Sequence, residues 1–331
     1  MTARSSGDLG DFETHRVRLD TAADRVDKGV AGLVPLSRTK IQGLIDDGLV
    51  TVDGRVVEKP SEPVEAGAEV VVRVPPKAEP TLEPAPIPLS ILWEDDACLV
   101  VDKPAGLVVH PAPGHPDDTL VNALLHHRPG VSGVGSEKKS GLVHRLDMDT
   151  SGCILIAKSD AAHAALSSQF ADRTIDKTYW AFTWGHMGER SGVVDRPIGR
   201  SVRDRQKMSS RTAKGRSAVT RWEVLERYAV AEWLEVDLET GRTHQIRVHF
   251  AESGHPVIGD DRYGGGPVRA KGFHGPQQAW AREAAAAVER QALHARAIGF
   301  DHPETSERVE VSAPIPDDLD RLRGTLREHR A

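Results

Sequence analysis

The feature that most constrains this chain is a run of polar residues directly before an apolar segment. Residues 144–152 read H-R-L-D-M-D-T-S-G, and residues 153–157 read C-I-L-I-A, which is typical of a buried strand. Residues 149–152 favour a tight turn, because Asp, Thr and Ser can bond nearby backbone and glycine tolerates positive φ. A turn fixed at the end of a core strand is a rigid support for reactive side chains. We therefore expect Asp147 to be a carboxylate presented for chemistry.

A purely structural role is the alternative for the same acid. Asp147 and Asp149 would then cap the turn and pair with Arg145. This stretch by itself is compatible with both roles, so the choice depends on the other blocks of the chain.

The composition indicates a cytosolic protein. A length of 331 residues suffices for one large and one small domain, and 39% hydrophobic with 28% charged residues is typical of soluble proteins. No apolar run approaches the ~20 residues that span a bilayer, and the first 14 residues carry no signal-peptide core. Cys98 and Cys153 lie in apolar, strand-like runs, which indicates reduced core residues.

Metal binding is not expected from the sequence. The chain has 15 histidines, but it contains no C-x-x-C motif, no H-E-x-x-H motif and no paired acidic loop. We therefore predict that the protein has no metal site.

One stretch of the chain is strongly basic although the net charge is -6. Residues 196–216 contain eight Lys or Arg and a single acid, Asp204. Such a stretch can grip phosphates, and a solvated charged loop is the alternative. The residues expected to contact phosphates here are Arg203, Arg205 and Lys207.

The N-terminal region predicts a small module of two helices and a sheet. Ser37 can cap a helix over residues 38–47, and Asp53-Gly54 indicates a hairpin turn. The pattern L-S-R-T-K-I-Q-G-L-I-D-D-G-L-V-T-V-D-G resembles the S4 RNA-binding domain, over residues 16–75. The S4 family places its second helix on structured RNA. The resemblance therefore implies RNA contacts by Arg38, Lys40 and Gln42.

Two segments are predicted to lie outside the folded domains. Residues 1–15 are polar and predict a loose tail. Residues 76–88 are rich in proline and predict a stiff, extended linker between two domains.

The remaining residues, 89–331, predict one larger domain. Strands are predicted at residues 91–93, 98–101, 107–109, 153–157, 177–182, 222–225 and 233–238, and helices at 119–127 and 160–169. Residues 238–249 predict a turn before the start of a helix, with Arg242 on the turn.

Four blocks in this domain together resemble the A/C/D family of large-subunit ribosomal RNA pseudouridine synthases. They are H-R-L-D-M-D-T-S-G, D-K-T-Y-W-A-F, L-E-T-G-R-T-H-Q-I-R-V-H and L-H-A-R-A-I-G-F-D-H-P, in this order behind the S4-like module. The block K-P-A-G-L-V-V-H-P-A-P-G-H favours the D type. Met148 stands where the family often has Lys, and residues 268–291 form an Ala-rich insert with no predicted role.

The resemblance implies an α+β fold with a long mixed, mainly antiparallel sheet and a central cleft. It implies an isomerase that converts uridine to pseudouridine without a cofactor. Its partner would be large-subunit ribosomal RNA, free or in an assembling subunit, and the enzyme would be a monomer. A base inside structured RNA must first be extruded, which costs a few kcal/mol.

The resemblance also assigns roles to single residues. Asp147 would be the essential carboxylate, acting as nucleophile or as base on the ribose. Tyr179 would stack on the extruded uracil and assist proton removal at C5. Arg242 would pair with Asp147, Arg145 would help to displace the target base, and Leu293 would pack against it.

Several neighbouring residues have more than one possible role. Arg247 lies five residues beyond Arg242 and is a second candidate to reach the cleft, but Arg242 is preferred because it sits on the turn. His144 is expected to orient its neighbours by a hydrogen bond. His244 and Gln245 either line the cleft or cap backbone.

Three other functions were weighed against this one. Residues 207–211, K-M-S-S-R, look like the nucleotide-binding signature of class I aminoacyl-tRNA synthetases, but no H-I-G-H-type motif accompanies them. Residues 130–135, G-V-S-G-V-G, might form the cofactor loop of a methyltransferase, but they follow a helix and not a strand. A non-catalytic ribosome-binding factor would have no need of both Asp147 and Tyr179.

Overall fold

The computed structural model describes residues 12–75, 82–112, 114–135, 140–212 and 214–329. The chain divides into two compact units, residues 1–81 and 82–331. Residues 1–11 of the predicted tail and 76–81 of the predicted linker lie outside the described residues. No helix within the described ranges is both long and apolar enough to cross a membrane.

The first unit has two helices packed on a four-stranded antiparallel sheet. Its helices are α1 (Val26–Val30) and α2 (Arg38–Asp46), and its strands are β1 (Glu13–Arg18), β2 (Val50–Val52), β3 (Arg55–Val56) and β4 (Glu69–Val74). The strands lie in the order β1-β4-β2-β3. As predicted, the Ser37 hydroxyl caps α2 by accepting from the Lys40 amide, and Gly48 beyond the helix has φ +71°.

Strand β1 was not predicted, because the sequence of residues 13–18 is polar. It pairs with β4 over six residues at the edge of the sheet, and its side chains are largely exposed. An edge strand buries little apolar surface, so its sequence carries no hydrophobic pattern. Three residues of the predicted tail therefore belong to the sheet.

The second unit is built on a nine-stranded mixed sheet. Its strands are β5 (Ser90–Glu94), β6 (Cys98–Lys103), β7 (Ser151–Ala157), β8 (Asp176–Trp184), β9 (Ser191–Asp195), β12 (Val219–Arg227), β13 (Ala231–Leu238), β14 (Leu293–Asp301) and β15 (Arg308–Ser312). The order is β5-β6-β7-β14-β8-β13-β12-β9, with β15 paired to β14. All neighbours are antiparallel except β7 and β14. The predicted α+β class and the mixed, mainly antiparallel sheet are confirmed.

The described part of this unit also contains five α-helices, three short 3-10 helices and one short hairpin. The helices are α3 (Leu120–His127), α4 (Asp160–Asp172), α5 (Gln245–Glu252), α6 (Pro276–Ala286) and α7 (Asp317–Arg327), and β10 (Gly199–Arg200) pairs with β11 (Met208–Ser209). Helix α6 lies in the Ala-rich insert and buries Ala281, Ala284 and Ala285 in the main core. The insert therefore serves at least to cover the sheet.

Two local predictions differ from the structure. Residues 107–109 form no strand, because Val108 makes only a single bridge, to Thr119. Residues 82–88 of the predicted linker lie against α3, where the Ala85 amide donates to the Asn122 carbonyl at 2.9 Å. The predicted domain boundaries at residues 15, 75 and 88 remain predictions.

The parallel pair at the centre of the sheet brings distant parts of the chain to one place. Ser151 of β7 pairs with His294 of β14, so the polar run before β7 lies beside the start of β14. Gly152 makes this approach possible: its φ is +110°, and a Cβ there would lie 2.2 Å from the Ala295 carbonyl oxygen. Tyr179 on β8 pairs with Ala295 on the other side of β14.

Candidate active site

The turn that carries Asp147 is held by hydrogen bonds from three separate segments. The Thr150 amide donates to the Asp147 carbonyl at 3.1 Å, which closes the turn itself. The Gly106 amide donates to the Met148 carbonyl at 3.0 Å, and Arg290 donates to the Asp149 carbonyl at 2.9 Å. The predicted rigid turn before the core strand is therefore present, and its backbone is fixed from both sides.

Lys103 reinforces this turn from inside the protein. Its side chain is fully buried, and its Nζ donates to the carbonyls of Pro104, Leu107 and Met148 at 2.7–2.9 Å. Burial lowers the pKa of Lys103 to about 7. One ammonium thus ties the loop after β6 to the residue that follows Asp147.

Asp147 forms an ion pair with Arg247. The Arg247 Nη1 donates to Asp147 Oδ2 at 2.8 Å, while Nε and Nη2 make a two-pronged bond to Asp260 at 2.7 and 3.0 Å. Asp260 is 1% exposed, whereas the Asp147 side chain is 21% exposed and faces the cleft. Burial acts against the charge of Arg247, but its bonds to Asp260 and Asp147 outweigh burial and raise its pKa.

The preference for Arg242 as this ion-pair partner was wrong. Arg242 lies on the turn as predicted, but its Nε donates to the Ser217 carbonyl at 3.0 Å. Arg247 reaches Asp147 because α5 starts only at Gln245, after His244 in the left-handed region at φ +57°, so Arg247 occupies the first turn of the helix. The alternative pairing of Asp147 with Arg145 is likewise not formed within the described residues, where Arg247 is the arginine bonded to Asp147.

One cleft, of about 560 Å³ including its open mouth, contains most of the predicted site residues. Its walls include Asp147, Tyr179, Arg242, Arg145, Leu293 and Arg247. Tyr179 and Leu293 are buried, at 9% and 4% exposure, and Leu238 adds a further apolar side chain. Burial, followed by the negative charge of Asp147, raises the pKa of the Tyr179 phenol. The cleft thus joins a carboxylate to a neutral aromatic ring and apolar side chains.

The two histidines considered from the sequence blocks, His144 and His244, lie in different surroundings. His144 Nε2 accepts the Leu155 amide at 2.8 Å and its ring stacks on Phe170, while burial lowers its pKa to about 3. His144 is thus a neutral, orienting residue, and it faces a neighbouring chamber instead of the Asp147 cleft. His244 lines the cleft, with Nε2 3.9 Å from Asp147 Oδ2 and Nδ1 2.7 Å from the Tyr263 hydroxyl.

Gln245 shapes the turn that precedes α5. Its side-chain oxygen accepts the Arg242 amide at 3.0 Å, and its amide group donates to the Val219 carbonyl at 2.9 Å. Gln245 therefore both caps backbone and lines the cleft.

The predicted RNA contacts of the first unit differ in how free they are. Arg38 and Gln42 both donate to the buried Asp27, at 2.9 and 2.5 Å, and Arg25 donates to the same carboxylate. These bonds, with Arg25 first, lower the pKa of Asp27. Lys40 on the same helix is exposed, and its side chain does not take part in this cluster around Asp27. Lys40 is therefore the more accessible cation of the helix.

The basic stretch forms an exposed hairpin. Arg203 and Arg205 are exposed and Lys207 is partly exposed, in and beside the turn between β10 and β11. Beyond the turn, the hydroxyls of Ser209 and Ser210 donate to Glu252 on α5. The hairpin is thus fixed at its base while its arginines face solvent.

A possible metal-ligand group lies elsewhere in the described residues, at Asp95, Cys98 and His302. In the structure His302 Nε2 bonds Asp95 Oδ2 at 2.5 Å, and His302 Nδ1 accepts the amides of Glu304 and Thr305 at 3.3 and 3.1 Å. Both ring nitrogens therefore already have protein partners. These three residues therefore form a structural hydrogen-bond cluster. It joins the loop before β15, which contains His302, to the turn before β6, which contains Asp95.

Three residues of the site were not recognised from the sequence: Lys103, Asp260 and Arg290. A lysine within K-P-A-G is typical of an exposed turn, and nothing local marks the Met148 carbonyl that Lys103 binds 45 residues away. Asp260 and Arg290 act through partners 13 and 141 positions away. The only sequence signal for Lys103 is a charged residue at the end of an apolar strand.

Comparison with known proteins gives a match in each of the two units. The pattern of the family described as RNA pseudouridylate synthase matches residues 97–252, and the S4 domain pattern matches residues 24–70. A Xanthomonas campestris protein named ribosomal large subunit pseudouridine synthase D is 42% identical, over 100% of this chain and 98% of its own. The protein of that name from Pseudomonas aeruginosa is 42% identical over 95% of each chain.

A solved structure is also similar. That of human RNA pseudouridylate synthase domain containing 1 aligns with a TM-score of 0.54 and 29% identity, covering 73% of this chain and 90% of that one. From the patterns, the full-length relatives and this fold, we conclude that the chain belongs to the RNA pseudouridine synthase family and carries an S4 domain at its N-terminus.

Proposed function

We propose that this enzyme converts uridines of large-subunit ribosomal RNA to pseudouridine, with Asp147 as the reacting carboxylate and without a cofactor. The observation that carries the proposal is the placement of Asp147 in an open cleft, between a buried arginine and a buried tyrosine. The names of full-length relatives at about 42% identity support ribosomal RNA as the substrate.

The reaction needs only one carboxylate, because it is an isomerisation. The bond from ribose C1′ to N1 of uracil breaks, the base turns, and C1′ bonds to C5; the proton leaves C5 and N1 gains one. Asp147 acts on the ribose, as nucleophile at the sugar or as base. Either role requires an ionised carboxylate with a free oxygen. Arg247 bonds Oδ2, and Oδ1 accepts no hydrogen bond from the described residues.

The other cleft residues position the uracil base and assist the removal of its C5 proton. The phenol of Tyr179, kept neutral by burial, stacks on the extruded uracil and assists removal of the C5 proton. Leu293 and Leu238 offer apolar surface to the base ring. Arg145 is exposed at the rim, where it can take the place of the extruded base in the RNA stack.

Tritium release tests the proposal. Large-subunit ribosomal RNA labelled at C5 of uracil is incubated with the wild type, Asp147→Asn and Asp149→Asn, in chelator and without nucleotide. We expect release by the wild type, none by Asp147→Asn, and a rate near that of the wild type for Asp149→Asn, which keeps the turn and changes the neighbouring acid. Release by Asp147→Asn at the wild-type rate would refute the assigned role.

In this proposal the S4 domain and the basic hairpin increase the affinity for the RNA. Replacing Arg203 and Arg205 with Ala should flatten the dependence of log Kd on log salt, by about 0.7–0.9 per lost phosphate contact. Deleting residues 1–75 should weaken binding and relax site choice without abolishing turnover at saturating RNA. An unchanged salt slope would instead identify the hairpin as a solvated loop.

A further inference from the structure

A second chamber adjoins the Asp147 cleft and is lined by positive charge. It has about 1080 Å³ of empty space including its mouth, and it shares Arg145, Tyr179 and Arg242 with the cleft. The cations along its wall are Arg145, Arg173, Lys177, Arg216 and Arg242. Its one acidic lining residue, Glu239, is already paired with Arg221 at 2.6 Å. The chamber therefore carries an excess of positive charge.

Lys177 is the side chain that marks this chamber as a binding site. It is only 9% exposed, yet its ammonium has no carboxylate or hydrogen-bond partner among the described residues. Its described neighbour is the ring of Phe170, whose centroid lies 5.7 Å from Nζ. A lysine whose side chain is largely removed from water loses part of the hydration that stabilises its charge. A ligand anion in the chamber would compensate for that loss.

The cations of the chamber also repel one another. Burial is the main cause that lowers the pKa of Lys177; the negative charge of Asp176 opposes it, and the positive charges of Arg173 and Arg242 each lower the pKa by a smaller amount. Burial lowers the pKa of Arg242 as well, with Arg216 and Arg173 contributing. These groups therefore stand close enough to disfavour each other's charge. An anion would relieve this repulsion.

We propose that this chamber binds the phosphodiester that flanks the extruded uridine, with Lys177 at its floor and Arg173, Arg216 and Arg242 around it. The inference rests on the proposed function, because it assigns the substrate RNA as the ligand. The chamber and the Asp147 cleft share Tyr179 and Arg242 as lining residues, and a nucleotide in the cleft carries a phosphate on each side. Binding one of these phosphates would place the ribose over Asp147.

The test uses a short synthetic RNA around a uridine that the wild type converts, with either adjoining phosphate replaced by a neutral methylphosphonate. We expect one replacement to weaken wild-type binding about tenfold or more. Lys177→Met should weaken binding of the natural RNA by a similar factor, with kcat at saturating RNA changed only a few-fold. On the methylphosphonate RNA, Lys177→Met should cause no further loss, because the contact is already absent.

Matched variants distinguish this phosphate contact from non-specific electrostatic attraction of the RNA. Arg203→Ala with Arg205→Ala lowers affinity but leaves the methylphosphonate effect at its full tenfold. The double variant Arg173→Ala with Arg216→Ala changes two exposed side chains, so it should fold normally. It should weaken binding of the natural RNA, with no further loss on the methylphosphonate RNA. The same result for Lys177→Met then cannot be due to misfolding of that buried variant.

Two outcomes would overturn the inference while leaving the enzyme assignment intact. In the first, the losses from Lys177→Met and from the neutral phosphate multiply, to about a hundredfold. In the second, Lys177→Met binds RNA as tightly as the wild type, as a site for a small free anion would allow. Failure of the proposed function would instead appear as absence of tritium release by the wild type.

Discussion

Arg247 holds two carboxylates with one guanidinium, so replacing it should damage both stability and catalysis. Arg247→Gln removes two bonds to Asp260, which is 1% exposed, and one bond to Asp147. Removing one partner of a buried ion pair costs about 3–5 kcal/mol, because the other charge is left without compensation. We expect a loss of unfolding free energy of that size, measured by urea denaturation.

The catalytic loss has a separate origin and can be separated experimentally. The bond from Arg247 to Asp147 involves two charged groups, and losing it should lower kcat by about 10–150-fold, from ~1.5–3 kcal/mol. Adding Asp260→Asn to Arg247→Gln should recover much of the stability, because a neutral amide no longer leaves a buried charge. The double variant should stay slow in tritium release, since Asp147 still lacks its partner.

Arg242→Gln is the matched control. It removes one bond, from a partly exposed guanidinium to the Ser217 carbonyl, worth about 0.5–1.5 kcal/mol. Its kcat should change little, although KM should rise because Arg242 lines the proposed phosphate chamber. A larger loss of stability or kcat in Arg242→Gln than in Arg247→Gln would refute the pairing described here.

Two further predictions concern residues that stabilise the turn carrying Asp147. Burial lowers the pKa of Lys103 to about 7, whereas an unfolded lysine titrates near 10.4, so between these values the unfolded chain binds more protons. The unfolding free energy of the wild type relative to Lys103→Met should therefore rise from pH 7 towards pH 10 in urea titrations, and a fall would contradict it. Gly152→Ala should destabilise the protein by at least about 1–3 kcal/mol in the same assay, because its φ is +110° and its Cβ would meet the Ala295 carbonyl. Gly241→Ala, in open space and without a positive φ, should change stability by less than about 1 kcal/mol.

The parts of the fold that the sequence predicts are those with a local cause. The cap at Ser37, the turn before β7 and the apolar strand β7 each follow from neighbouring residues and were predicted. Strand β1 was missed because its stability comes from backbone pairing with β4, 51 or more positions away, and not from its own side chains.

The same distinction explains the error at the arginine. Both Arg242 and Arg247 belong to one block, and which of them faces Asp147 depends on where α5 begins. That start is set by the left-handed conformation of His244 and by the contacts of Gln245 with Thr220 and Val219. Such contacts join strands and helices that are distant in sequence, so the pattern of the block alone could not decide between the two arginines.

The parallel pairing of β7 with β14 has a consequence for how the enzyme matures. Ser151 and His294 are 143 positions apart, and the residues that line the Asp147 cleft come from segments near residues 147, 179, 247 and 293. Closing so long a loop is entropically unfavourable until the intervening strands are in place. Modification activity should thus appear only after β14 has been synthesised and inserted, so that a partly translated chain on the ribosome can bind RNA before it is able to alter it.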